Sequence, residues 1–200
     1  ADIYRTPVMV LADGMIGQMM EPVEFKPAGA KRDLPDKSWA ATGWSPGCGR
    51  PRAVINSLYI ETEALDEMNQ RLQGRYRQIE EQEVRVEEYN LDGAQFVICA
   101  YGTVARIAKS AIALCAKEGL KVGLVRPITL WPFPKEAVKK AAALPHVAAV
   151  LTVEISAGQM VEDVRLAING AKPVEFLGRP GSTVPTAEEI AAKLLEMRRA

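Results

Sequence analysis

The sequence predicts an α/β protein whose C-terminal part, from about residue 90 to residue 200, is a three-layer α/β/α domain with a largely parallel sheet. Three observations carry that expectation. After Asp92-Gly93, apolar runs of strand length alternate with amphipathic segments of helix length, the pattern of strand–helix–strand units. Several of those helical segments carry their own start or stop signals. Ahead of them lies one long charged stretch with a single apolar stripe, which reads as a solvated connecting helix.

Taken in order, Pro7-Val-Met-Val-Leu11 reads as a strand close to Ala1, followed by Asp13-Gly14 and a methionine-rich run to Glu21. A single parallel-type strand has no sheet to join. Residues 1–25 are therefore expected to be the end of a domain that mostly lies outside this chain, with pairing onto the later sheet as the alternative. Residues 26–60 are rich in Pro, Gly, Lys and Asp without periodicity and read as a linker or wrapping segment, in which Trp39 and Trp44 give part of the chain something to pack. From Glu61 to about residue 90 the chain turns helical and charged, with Leu65, Met68, Leu72, Tyr76 and Ile79 at spacings of three and four. Gly74 interrupts that helix at a cost of about 1 kcal/mol relative to alanine, so a break or kink is expected there.

Residues 91–200 form the predicted α/β/α domain. Ala94 to Tyr101 is its first strand, and Thr103 is placed to cap a helix whose Val104, Ile107, Ala108, Ala111, Ile112 and Cys115 share one face. That helix ends near Gly119. Val122 to Val125 is the next strand and is expected to stop before Pro127, which has no N–H to donate. Pro134 to Leu144 is a helix bounded by prolines, His146 to Val153 a third strand, Gln159 to Ile168 a helix ending at Gly170, and Val174 to Leu177 a short fourth strand. The last helix has a capping box in Thr186 and Glu189, just after Pro185.

Composition narrows the function classes. Lysine plus arginine number 25 and aspartate plus glutamate 25, so the basic footprint of a nucleic-acid or anionic-membrane binder is missing. No stretch approaches the ~20 apolar residues of a membrane span, and the first residues lack the features of a secretory signal; a cytoplasmic location is expected. Cys48, Cys99 and Cys115 are widely spaced, which supports neither a disulfide framework nor a metal or iron–sulfur site. Cys99 and Cys115 read as core, Cys48 as a surface turn, and His146 as a turn or strand-edge residue.

In sheets of this kind ligands collect beyond the carboxyl ends of the strands. Tyr101-Gly-Thr103 ends the first strand and reads as a glycine turn plus helix cap. After the third strand, Val153-Glu-Ile-Ser-Ala-Gly-Gln-Met160 places Ser156 and Gln159 at the spacing of a reciprocal cap. Glu154 is then either exposed for a partner or held by a cation such as Arg126. Arg179, in Leu177-Gly-Arg-Pro-Gly181, is solvated or binds an anion. The chain has no Ser/His/Asp set, no HExxH and no nucleotide fingerprint. No residue is expected to be catalytic or to bind metal; Arg126, Trp131, Phe133, Glu154, Gln159 and Arg179 are the candidates for an interface or ligand role.

Read together, these segments resemble the alpha subunit of the 2-oxoacid:ferredoxin oxidoreductases, most closely the 2-oxoisovalerate (branched-chain) type. The resemblance is carried in order by residues 7–22, by Arg75-Tyr-Arg-Gln-Ile79, by Arg126-Pro-Ile-Thr-Leu-Trp-Pro-Phe-Pro134, by Val153-Glu154 with Gly158-Gln-Met160, and by Gly178-Arg-Pro-Gly181. It implies that residues 1–25 close a thiamine-pyrimidine-binding domain and that 91–200 form a transketolase C-terminal-like domain with a mixed sheet of about five strands. It also implies thiamine diphosphate, magnesium and iron–sulfur clusters in the full complex, coenzyme A as co-substrate, thiamine-binding and ferredoxin-like partner subunits, and ferredoxin as electron acceptor. This chain alone would hold none of those groups, and weak homodimerisation of the isolated piece is expected. Trp131 and Phe133 would anchor a proline-stiffened loop at a domain or subunit surface. Ser156 stands where the family usually has asparagine, and Ser182 where it has a second glycine. The rivals are the C-terminal domain of another thiamine enzyme, and a stand-alone module binding a partner or an anion at the strand ends.

Overall fold

The computed structural model describes residues 1–25, 33–181 and 183–199, so Ser182 and the first part of the expected linker lie outside the described residues. The chain divides into two compact units, residues 1–11 with 20–79, and residues 12–19 with 80–200.

In the first unit, the run Pro7 to Leu11 is irregular backbone rather than a strand. Val8, Met9 and Val10 are 68%, 80% and 90% exposed. None of the five strands of the sheet takes this run as a neighbour, and a segment without a ladder partner has no reason to stay extended. Trp39 is covered by Arg5, whose guanidinium lies 4.5 Å from the ring centroid, a favourable cation–π geometry. Lys37 pairs with Asp2 at 2.9 Å. The loop from Thr42 to Arg50 closes on itself: the Trp44 indole donates to the Arg50 carbonyl at 3.0 Å and the Arg50 guanidinium donates to Thr42.

Among the described residues two helices precede the sheet. α1, Gly14–Gln18, is one short turn capped by Asp13. α2, Thr62–Gln82, runs unbroken through Gly74. The helix does not break there, because a single glycine weakens a long helix without removing a hydrogen bond. The helix expected over 61–90 also ends early, since residues 86–89 form a strand.

The sheet comprises β1 (Val86–Tyr89), β2 (Phe96–Cys99), β3 (Val122–Pro127), β4 (Ala149–Glu154) and β5 (Val174–Gly178), in the spatial order β1-β3-β2-β4-β5. β1 pairs antiparallel with β3 and every other neighbouring pair is parallel. The expected mixed five-stranded sheet is therefore present. β3 continues two residues beyond its expected end. Its pairing with β2 stops at Val125, so at Pro127 only β1 lies alongside and the missing N–H is tolerated as on an edge.

Helices α3 (Gly102–Lys117), α4 (Lys135–Ala142), α5 (Met160–Ile168) and α6 (Ala187–Met197) cover both faces. Alternation along the strands sorts the core into two layers. Phe96, Ile98, Leu124 and Leu151 pack with Val104, Ala108 and Ile112 of α3 and Ile190 and Leu194 of α6. Val97, Cys99, Val125 and Val150 pack with Val138 of α4 and with Met160, Val164 and Ile168 of α5. Each fully buried aliphatic side chain contributes about 1.5–3 kcal/mol. The face expected for α3 is the observed one. The capping box of α6 forms as expected, with Thr186 and Glu189 bonding each other's backbone N–H at 3.2 and 3.0 Å. A side chain at Gly123 on β3 would crowd the preceding turn, because a Cβ there would lie 2.7 Å from Leu91 Cδ2 and 3.1 Å from the Asn90 carbonyl oxygen.

Candidate functional site

β2 and β4 are neighbours in the sheet, but the chain leaves β2 into α3 on one face and leaves β4 into α5 on the other. Connections that diverge in this way open a crevice at the carboxyl ends of the two strands, the usual ligand position in such folds. Two helix N-termini face that end, each with N–H groups that the helix itself does not bond and a partial positive charge.

Glu154, the last residue of β4, is 1% exposed rather than presented at the surface, and its carboxylate is held by backbone N–H groups rather than by a cation among the described residues. Its carboxylate caps α5. Oε2 accepts from the backbone N–H of Gln159 at 3.2 Å and of Met160 at 3.0 Å, while Oε1 accepts from Val161 at 2.9 Å. The Ser156 hydroxyl donates to Oε2 at 3.0 Å and accepts from the Gly158 N–H at 3.1 Å. This corrects two expectations. Arg126 does not hold Glu154, and Ser156 with Gln159 do not form a reciprocal cap: Gln159 is the N-cap residue but bonds no backbone with its side chain. A carboxylate from the preceding strand reaches the orphan amides first and satisfies three of them, which a serine cannot do. Gly158 permits the tight return, with φ +112°. Gly178 on β5 passes directly below, where a Cβ would lie 2.5 Å from the Ser156 carbonyl oxygen.

At the neighbouring strand end, Tyr101 is the N-cap of α3 and offers no side-chain cap. Thr103 is buried, and instead of capping α3 its hydroxyl donates to Asp13 Oδ2 at 2.7 Å. Asp13 also accepts from the Ile16 N–H at 2.8 Å. These bonds, Ile16 first and Thr103 second, hold the Asp13 carboxyl below the usual carboxylate range.

The remaining candidates are dispersed. Arg126 on β3 pairs with Glu87 on β1 at 2.7 Å, and Lys109 on α3 pairs with the other oxygen of the same carboxylate. The hydrogen bonds from Lys109 and Arg126 hold Glu87 below its ordinary pKa. Arg179 pairs with Glu189 of the α6 capping box, and its backbone N–H donates to the Glu154 carbonyl at 3.1 Å. Arg179 is thus held by a carboxylate rather than purely solvated. Trp131 is 54% exposed, whereas Phe133 is buried in the α4–α5 core layer. The Gln159 side chain is exposed, and His146 sits in an exposed turn.

Nucleophilic chemistry finds no support among the cysteines. Burial, and next the charge of Glu154, push the Cys99 thiol far up, and burial raises Cys115 as well. Both stay protonated and unreactive at neutral pH. Cys48 is exposed in its turn, as expected. Among the described residues no group of three or more His, Cys, Asp or Glu is placed to hold a metal ion, and no helix is long and apolar enough to cross a membrane. The sequence could have shown the role of Glu154, through a carboxylate closing a buried strand shortly before a helix start. Nothing local points from Thr103 to Asp13, which is 90 residues away.

The comparisons with known proteins agree with this architecture. Residues 94–190 match the family described as pyruvate:ferredoxin oxidoreductase core domain II. The ketoisovalerate oxidoreductase subunit VorB of Methanothermobacter marburgensis is 41% identical over 197 residues, spanning 98% of this chain and 54% of that subunit. The 2-oxoglutarate synthase subunit KorA of Archaeoglobus fulgidus is 30% identical over 178 residues, 88% of this chain and 49% of that subunit. Among solved structures, a 2-oxoglutarate:ferredoxin oxidoreductase from Magnetococcus marinus with 2-oxoglutarate, coenzyme A and succinyl-CoA bound shares the fold, with a TM-score of 0.64 and 19% identity over 76% of this chain and 27% of that one. The chain spans about half the length of the curated relatives it matches. Over almost its whole length, then, the chain is homologous to subunits of the 2-oxoacid:ferredoxin oxidoreductases, as its sequence motifs imply.

Proposed function

We propose that this chain is a structural and subunit-assembly part of a 2-oxoacid:ferredoxin oxidoreductase whose substrate is 2-oxoisovalerate. The observation that carries this reading is the 41% identity to ketoisovalerate subunits across 98% of the chain, against 25–30% to the 2-oxoglutarate subunits. In this proposal the complete enzyme decarboxylates the 2-oxoacid on thiamine diphosphate and magnesium, passes electrons through iron–sulfur clusters to ferredoxin, and releases an acyl-CoA in the cytoplasm. Thiamine supplies a thiazolium that delocalises the developing charge, and the protein supplies orientation and burial. Residues 1–25 stand as the end of the pyrimidine-binding domain, 26–60 as the linker, 61–90 as the connector whose last residues give β1, and 91–200 as the transketolase C-terminal-like domain.

The residues present here do not fit the cofactor itself. A pyrophosphate seeks helix N-termini and cations, yet at the carboxyl ends of β4 and β2 the start of α5 is already taken by the Glu154 carboxylate and Thr103 of α3 by that of Asp13. The same fact disfavours a stand-alone anion-binding module. Thiamine diphosphate, the clusters and the coenzyme A site are therefore assigned to other domains and to thiamine-binding and ferredoxin-like subunits. The exposed apolar residues of the first unit suit an assembly role and weak self-association of the isolated chain.

Affinity capture from the native cell extract tests the reading. A longer endogenous form, recovered with a thiamine-binding and a ferredoxin-like subunit and reducing ferredoxin in a 2-oxoisovalerate- and coenzyme A-dependent way, is the expected result. Tight thiamine diphosphate binding by the 200-residue chain alone, or recovery without those companions, would sink it.

A further inference from the structure

α3 is 16 residues long, takes no side-chain cap from Tyr101 and has no acidic residue in its first turn. A helix of that length carries a partial positive charge at its start that favours an anion within the first turn. Asp13 meets that demand from outside the helix, since its Oδ2 accepts the hydroxyl of Thr103 at 2.7 Å. Its other oxygen caps α1 at Ile16. α1 has five residues, none of them buried, and an isolated helix of one turn is not stable in water. Something must seat it. The compact units agree: residues 12–19 group with the sheet, while the chain on either side, 1–11 and 20–79, groups elsewhere. Asp13 and Glu154 thus answer the same electrostatic demand at neighbouring helix starts. Glu154 is buried on its own strand, whereas Asp13 arrives on a segment whose Met15 and Ile16 are each 45% exposed.

We propose that residues 12–19 are a docking strap for the carboxyl end of the sheet, and that Asp13, acting through Thr103, is its latch. The strap supplies α3 with the charge that its own first turn lacks, and α3 supplies the strap with the support that a single helical turn lacks. Unlike Glu154, which is fixed on its own buried strand, Asp13 is able to leave, so the strap opens without unfolding the domain.

Hydrogen exchange on the full 200-residue chain, read by peptide mass spectrometry over residues 12–19 and 102–106, tests the latch. Thr103→Val removes the donor while leaving Asp13 free to cap Ile16, and is expected to speed exchange in both segments on the order of tenfold, the scale of one charge-assisted hydrogen bond. Thr103→Ser keeps the hydroxyl and is expected to exchange as the native chain does. Asp13→Asn keeps a competent cap for α1 but removes the charge, and is expected to loosen both segments as well. Should T103V lower the urea midpoint of the whole domain, D13N makes the same comparison with α3 untouched. Acceleration confined to 102–106, or a T103S variant as loose as T103V, would overturn the proposal.

Discussion

Val97, Ile98 and Leu151 in the sheet are at most 1% exposed, while Val8, Met9 and Val10 in the first unit, equally apolar, are at least 68% exposed. Intrinsic preference does not separate the two stretches, since both read as strands. What differs is the supply of neighbours. Residues 96–99 have a paired strand on each side and a helix layer on each face, whereas residues 7–11 have no paired strand among the described residues. A strand-like run is only a request for partners. The comparison teaches that burial follows the supply of neighbours: the strands of the α/β domain are covered on both faces, and the apolar run of the first unit stays exposed.

The largest effect is expected where the covered region relies on one group. Replacing Glu154 with alanine leaves three amides of α5 and the Ser156 hydroxyl without their acceptor in a buried place. The expected cost is on the order of 3 kcal/mol, seen as a lowered urea midpoint. A shift below about 1 kcal/mol would mean that the cap is dispensable and that the sheet end is less closed than its geometry indicates.

A smaller effect of opposite sign is expected at Thr152, directly opposite Cys99 in the parallel pair. Its hydroxyl is buried with no hydrogen-bond partner. Thr152→Val removes that desolvated group at nearly constant shape and should raise stability by about 1 kcal/mol in the same denaturation experiment. Loss of stability would show that the hydroxyl has a partner in solution. Near zero lies the Val8→Lys, Val10→Lys pair. Both residues are exposed, so the urea midpoint should move by less than about 0.5 kcal/mol, while light scattering should show less self-association. A large loss of stability would erase the contrast between the two regions.

The same contrast decides how much the sequence revealed. Strands and helices of residues 94–197 were legible because their signals are local: apolar runs for β2 to β4, the face of α3, the capping box of α6. β1 was read as the tail of the connector, because Val86-Glu-Glu-Tyr89 is short, charged and defined only by its pairing with β3. The candidate residues were visible but their partners were not. Ser156 and Gln159 have the spacing of a cap, yet the capping atom is the carboxylate of Glu154, and Arg126 answers to Glu87, which the sequence offered no reason to single out. Family resemblance was legible throughout, since it rests on the order of motifs rather than on what each side chain touches.

Acidification gives the finest test, because it reaches two named polar ties of the α/β unit. Glu87, held low by Lys109 and then Arg126, and Asp13, held low by Ile16 and then Thr103, both have folded pKa values below their ordinary 4.5 and 3.8. A carboxyl with a depressed folded pKa contributes stability that is fully present above its unfolded pKa and is lost as pH falls through the folded one. The contribution of these two groups should therefore be level from pH 7 to about pH 5 and decline below their ordinary values. Glu87→Gln should already lie lower at pH 7 and should fall less steeply between pH 5 and 3. Because the Glu87 side chain is 31% exposed, 1 M salt should shrink the difference from the native chain. If E87Q followed the native acid limb without change, the bridge from β1 to α3 and β3 would be a contact without energetic weight, and the edge of the sheet would be held by its backbone ladder alone.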